Sequence, residues 1–267
     1  MTRKNEQTEK IRLALAGRSP RQVGEEKAFK ALSWVYKWGW SSSKVLGLLC
    51  NDNQNGLAAR LVKRGFLVKT RTESGGGCRD IPAFIFTLTE QGIAEVERHL
   101  KAETDLLEYD TNPLKIKQTL LRHDNLAQYI TANSLIKENI SDFLTPALIK
   151  KKSESGVKQP DTVWLKNGKK YAVEVELTGK WHRDLDMFIL AVLTSLLPTK
   201  GSEATYDGCF IVSDSSAILE RYKAAFMPGV IHNFWQKDSS RHWVKNGTFT
   251  VPNNIEGKLA WRKIDYK

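Results

Sequence analysis

The stretch Gln159 to Lys180, QPDTVWLKNGKKYAVEVELTGK, decides how this chain is read. Asn167-Gly168 within it signals a two-residue hairpin loop, because a type I′ turn needs positive φ at both central positions. Counting outward from the turn sets Lys166 opposite Lys169, Leu165 opposite Lys170, Trp164 opposite Tyr171, Val163 opposite Ala172, Thr162 opposite Val173 and Asp161 opposite Glu174. Partners across a hairpin share a face. Along the second strand Tyr171, Val173, Val175 and Leu177 alternate with Ala172, Glu174 and Glu176. The apolar set is therefore expected to face a core and both glutamates the opposite side. Asp161, Glu174 and Glu176 then converge. Like charges so close repel unless a cation, a proton or a basic side chain offsets them, and hard oxygen donors suit Mg²⁺ or Mn²⁺.

Acidic alternation on a strand is also the pattern of a solvated outer face. The flanks argue for chemistry instead. A basic polar run, 150–158, precedes Pro160-Asp161, and Thr178, Gly179, Lys180, His182 and Arg183 follow the strand. One hairpin thus gathers ligands, a nearby cation and groups that meet an anionic substrate. Pro160-Asp161, a turn, and Glu174-Val175-Glu176 resemble the P-D…(D/E)-x-K signature of the PD-(D/E)XK nuclease superfamily. The extended form, PD…EVELTGK, resembles plasmid replication-relaxation proteins and MobC-type plasmid relaxases. The resemblance implies that Asp161 and Glu174 bind a divalent metal and that position 176 belongs to a lysine that orients or activates the nucleophile. Glu176 departs from that pattern. Lys180, just past the strand end, is near enough to swing back to the same pocket, and E-x-E variants occur in the superfamily.

Length and charge bound the rest. A chain of 267 residues is long enough for two domains, each with its own core. Forty-one Lys and Arg against 30 Asp and Glu leave a formal charge of +11, which suits a polyanion such as nucleic acid. No run is long and apolar enough to cross a membrane, and the start, MTRKNEQTEK, lacks a signal-peptide apolar core, so a cytoplasmic protein is expected. Cys50, Cys78 and Cys209 are odd in number with no C-x-x-C spacing, which argues against a disulfide framework and a zinc ribbon.

Residues 1–24 are polar and basic and contain Ser19-Pro20, reading as a flexible arm. Apolar spacing predicts helices over 26–38, 41–49 and 54–64, the third presenting Arg60, Lys63 and Arg64 on one outer face. Two β-rich runs, 66–71 and 81–88, follow around a Gly75-Gly76-Gly77 loop, and Thr89 opens another helix to 102. Three helices and a basic-tipped hairpin resemble a winged helix-turn-helix domain over 25–102. Its third helix would enter the major groove, with Gln54, Asn55 and Arg60 at base edges and Lys63, Arg64, Arg71 and Arg79 near phosphates. Such a module also serves protein contacts, with the cations a solvated face.

A polar linker is expected over 103–113, ending in Asn112-Pro113. The second domain, 114–267, reads as a helix over 114–138, a strand near 143–149, the acidic hairpin, a helix over 181–197, a buried strand over 206–213, a helix over 215–226 and a strand over 230–235. His123, among apolar neighbours, is either a lining residue of the site or a hydrogen-bonded structural histidine. Residues 241–267, with Asn246-Gly247, suggest a terminal hairpin on the sheet, and Trp235, Trp243 and Trp261 either fill a core or stack on unpaired bases. The fold class expected is mixed α/β (α+β): a winged helix-turn-helix, then a restriction-endonuclease-like domain with a mixed central sheet.

Two functions are open. One is a Mg²⁺- or Mn²⁺-dependent DNA-nicking relaxase or endonuclease in plasmid mobilisation. It would act on double-stranded DNA at a transfer origin alongside relaxosome accessory and coupling proteins, with Asp161, Glu174 and Glu176 as ligands and Lys180, His182 and Arg183 meeting the phosphate. The other is a non-catalytic replication initiator or transcriptional regulator on a degenerate nuclease scaffold. Tyrosine relaxases pair their nucleophile with a histidine cluster; the five histidines here are scattered, so water is the expected nucleophile.

Overall fold

The computed structural model describes residues 17–52, 56–100, 106–138, 140–152, 159–198 and 203–266. The chain divides into two compact units, Met1–Gln118 and Thr119–Lys267.

In the first unit, α1 (Pro20–Trp38), α2 (Ser43–Leu49) and α3 (Gly56–Lys63) precede the antiparallel pair β1 (Leu67–Arg71) and β2 (Phe84–Leu88), and α4 (Glu90–Glu97) follows. Helix α1 starts earlier than apolar spacing predicts. Ser19 Oγ accepts from Gln22 N (3.2 Å) while Gln22 Oε1 accepts from Ser19 N (2.8 Å), a reciprocal capping box ahead of a proline preset for the first turn. Residues 20–24 therefore belong to the helix and not to an arm; residues 1–16 lie outside the described part. The helix stops at Gly39, whose φ of 83° lets its N–H return to Val35 O. Leu32, Val35, Leu46, Leu61, Ile85 and Leu88 form the buried interior, and Ser41 adds one bridge to Phe86 beside β2.

The segment expected as a linker is tied down where it is described. Leu107 N donates to Tyr36 Oη (2.8 Å), Tyr109 Oη donates to Gly39 O (2.5 Å), and the two rings stack 6.0 Å apart. Polar composition there concealed two anchors, Leu107 and Tyr109. Residues 101–105 lie outside the described part.

The second unit runs α5 (Leu121–Lys137), β3 (Asp142–Leu144), α6 (Pro146–Lys152), β4 (Thr162–Lys166), β5 (Lys169–Val175), α7 (His182–Leu196), β6 (Gly208–Ser213), α8 (Ser216–Ala225), β7 (Ile231–Lys237), β8 (Trp243–Thr250) and β9 (Leu259–Lys263). Pro146 ends the strand expected over 143–149 after three residues, since it has no N–H for a ladder yet suits a first helical turn. A mixed five-stranded sheet has the order β3-β4-β5-β6-β9, antiparallel from β3 to β5 and parallel from β5 to β9. The β4–β5 register, Lys166 opposite Lys169 through Thr162 opposite Val173, is the one counted from the Asn167-Gly168 turn.

Both faces of this sheet are covered, where alternation alone suggested a single core face. Ala172 and Val163 join Phe188, Ile189 and Val192 of α7 and Leu219 and Tyr222 of α8 in one cluster. On the other face Trp164 Nε1 donates to Thr131 Oγ1 of α5 (3.1 Å). Sheets with parallel strands carry helices on both sides, so Glu174 of β5 and Glu176 just beyond it are buried rather than on an outer face.

The expected terminal hairpin is also replaced. Asn246-Gly247 lies inside β8, where Asn233 pairs with Thr248 and Trp235 with Lys245, leaving two residues opposite Phe234. The positive φ of Gly247 (91°) serves a bulge and not a chain reversal. Strand β9 instead completes the sheet edge beside β6. No described helix is long and apolar enough to cross a membrane.

Candidate functional site

At the end of the acidic hairpin a cleft of about 470 Å³ opens within the second unit. Gln159 and Asp161 before β4, Glu174 and Val175 at the end of β5, Glu176, Thr178 and Lys180 beyond it, and Arg122 and His123 on α5 line it. All three acids and Lys180 thus face one space. Glu174 is 7% exposed and Glu176 4%.

The chain leaves regular pairing at Asp161. Its N–H donates to Val173 O (3.0 Å) although Val173 is already the partner of Thr162. Strict continuation would have set Asp161 against Glu174. The side chain makes the tie to β5 instead: Oδ2 accepts from Val175 N (2.7 Å) and lies 3.2 Å from His123 Nε2. His123 Nδ1 meets Asp124 Oδ1 at 3.1 Å. Burial of His123 opposes its charge, but Asp124 and Asp161 outweigh burial and raise its pKa to about 10. The ring is an imidazolium between two carboxylates.

Glu176 is engaged on both oxygens. Oε1 meets the Lys180 ammonium, Oε2 accepts from Tyr222 Oη (3.0 Å), and Tyr222 Oη in turn accepts from Lys180 N (3.1 Å). Lys180 Nζ also lies 4.6 Å above the Phe188 ring. Burial, and then the charge of Glu176, push the Tyr222 hydroxyl well above its ordinary value, so it remains a proton donor. Arg122, which lines the cleft with His123, pairs with Asp214 at 2.5 Å.

The donors are hard carboxylate oxygens of the kind that hold Mg²⁺ or Mn²⁺. In this arrangement the positive charge beside them comes from His123 and Lys180. Among the described residues no group of three or more His, Cys, Asp or Glu stands close enough to hold a metal ion. Binding one would require Glu176 to turn from Lys180, or Asp161 from His123.

The remaining sequence candidates lie elsewhere. His182 is exposed, and Arg183 pairs with Asp184 (2.8 Å) and sits 5.4 Å over Trp243; neither lines the cleft. In the first unit Lys63 and Arg64 are exposed at the end of α3, and Arg60 is exposed 3.5 Å from Asp52. Arg71 is exposed at the end of β1, and Arg79 pairs with Asp80 at 3.3 Å. Gln54 and Asn55 lie outside the described residues. Arg122, which lines the cleft, and Tyr222, buried behind it against Glu176, carry no sequence signal, since nothing local links position 222 to position 176. For His123 the available hint was the dipeptide His123-Asp124 among apolar neighbours on an expected helix.

No family model and no curated protein matches this chain. Among solved structures, protein VC1899 from Vibrio cholerae is similar at 14% identity over 78% of this chain and 51% of that one, with a TM-score of 0.27.

Proposed function

We propose that this protein is a DNA-processing enzyme of the PD-(D/E)XK kind, a relaxase-like endonuclease that nicks one strand at a plasmid transfer origin in the cytoplasm. One observation carries this reading: Asp161, Glu174, Glu176 and Lys180 line a single cleft. The topology supports it, because a helix, the antiparallel strands β3-β4-β5 with α6 inserted between β3 and β4, a helix and parallel β6 follow the core order the superfamily resemblance implies. Three helices and a hairpin with exposed Lys63, Arg64 and Arg71 support a winged-helix DNA-binding first unit.

Asp161, Glu174 and Glu176 would hold Mg²⁺ or Mn²⁺. When bound, such an ion acts as a Lewis acid on a phosphodiester and lowers the pKa of a water nucleophile. Lys180, released from Glu176, takes the place of the lysine that position 176 lacks and offsets charge on the phosphoryl oxygens. The His123 imidazolium supplies a second fixed cation, and Tyr222 Oη a hydrogen bond that orients Glu176.

A second reading, a non-catalytic DNA-binding scaffold, is favoured by the pairing of Glu176 with Lys180 and of Asp161 with His123, which neutralises the acids without a metal. Incubation of supercoiled plasmid with Mg²⁺ or Mn²⁺ separates the two. Relaxed circles from wild type, and at least about a hundredfold fewer from Glu174→Gln, support the enzyme. No relaxation by wild type, with duplex binding intact, leaves the scaffold.

A further inference from the structure

Beside the cleft stands a surface that strand cleavage does not use. Trp181, next in the chain to the cleft residue Lys180, is 60% exposed. The Arg221 guanidinium lies 3.1 Å from the centre of its indole. A Cβ at Gly179 would come within 2.8 Å of Arg221 Nη1, so the bare glycine leaves room for the guanidinium beside it. At His182 the backbone takes a φ of 44°, a conformation that L side chains avoid and that persists only where the surroundings impose it. One residue later Arg183 reaches across to lie 5.4 Å from the ring of Trp243 on β8, and Lys237 lies 5.3 Å from the same ring. The acids nearby are paired, Asp184 with Arg183 and Glu220 with Lys223.

Two indoles, each with a cation at its face and joined through the first turn of α7, begin at the cleft wall. The exposed Trp181 ring and the half-buried Trp243 ring, set among cations, match one class of polyanion in particular. Every unpaired base offers a π-face to stack, while the cations track the phosphates. A duplex keeps its bases stacked internally and cannot use the rings. We infer that the second unit binds single-stranded DNA along Trp181 and Trp243, so that the strand processed in the cleft is held unpaired on this surface. The inference rests on the nucleic-acid reading of the cleft and adds to it the form of the substrate.

The test uses the full chain in EDTA, with fluorescence anisotropy of a labelled oligo(dT) of about 12 nucleotides and of a duplex of equal length, matched to the span such surfaces cover. Trp181→Ala and Trp243→Ala are each expected to weaken oligo(dT) binding about tenfold or more while leaving duplex binding unchanged. Trp181→Phe, which keeps a ring, is expected to retain most of the affinity, and oligo(dT) should quench tryptophan emission of wild type more than of Trp181→Ala. Melting temperatures of the variants close to wild type show that the fold is kept. Equal oligo(dT) affinity in wild type and both alanine variants overturns the inference. Plasmid nicking by the same preparations in Mg²⁺ is scored separately: nicking without oligo(dT) binding removes the single-strand surface and leaves the enzyme, whereas oligo(dT) binding without nicking keeps the surface and removes the enzyme.

Discussion

Asp161 joins three parts of the second unit through one oxygen: Oδ2 accepts from Val175 N at the end of β5 and meets the His123 ring of α5. The hairpin turn placed this residue near Glu174, yet sequence could not show that its closest ionic partner lies 38 positions upstream. The pair makes stability depend on alkaline pH. His123 ordinarily titrates at 6.5 and is held charged to about 10 in the fold, so its contribution is complete below pH 6.5 and is lost as pH rises through about 10. Melting curves of wild type and His123→Gln should differ by roughly 1–3 kcal/mol at pH 6 and converge by pH 10.5. Persistence of the full difference at pH 10.5 would show that the ring is held by packing alone. Lys180 and Glu176 are four residues apart, so their meeting was within reach of sequence; that Tyr222 completes the group was not.

At the scale of elements, two contacts control how secondary structure docks. Gly92 on α4 sits so close to β1 that a Cβ would come within 2.2 Å of Phe66 O. Gly92→Ala should destabilise the first unit by about 1–3 kcal/mol, seen as an earlier melting transition. In the second unit the β7–β8 ribbon hangs on Asp186 of α7, whose carboxylate receives His232 Nδ1 (3.0 Å), Asn233 Nδ2 (3.1 Å) and Trp235 Nε1 (2.8 Å). Burial opposes the charge of Asp186, but these donors outweigh it and hold the carboxyl below its ordinary pKa. This contribution is present above the unfolded carboxylate range and is lost as pH falls through the folded value. Asp186→Ala strands three donors and should cost about 3 kcal/mol by chemical denaturation, with the loss muted at acid pH. An unchanged midpoint would show that the ribbon docks by its apolar contacts. Sequence showed the strands but not this anchor, because nothing local connects position 186 to 232, 233 and 235.

For the whole molecule, charge sets the dominant expectation. With a formal +11, association with duplex DNA should weaken steeply with salt, and Lys63→Ala and Arg64→Ala should each lower the slope of log K against log salt by about 1 if those side chains meet phosphates. Slopes indistinguishable from wild type would place the duplex on another surface. Two compact units divide the chain between Gln118 and Thr119, a few residues past the Asn112-Pro113 signal. The turns over Pro113–Lys115 and Gln118–Leu120 explain why helix α5 begins at Leu121 and not at 114.

Local chemistry alone determined the β4–β5 register, since Asn167-Gly168 permits one tight turn and strand alternation propagates from it. It also determined the kinds of residue gathered at the hairpin: three acids, then a lysine. Only the tertiary structure decided what those acids face. Helices on both sides of the sheet buried Glu174 and Glu176, and α5 and α8 brought His123 and Tyr222 to Asp161 and Glu176. The physical reason is range: turns and alternation act between near neighbours in the chain, whereas the partner of a buried charge is chosen by packing among segments tens of residues apart.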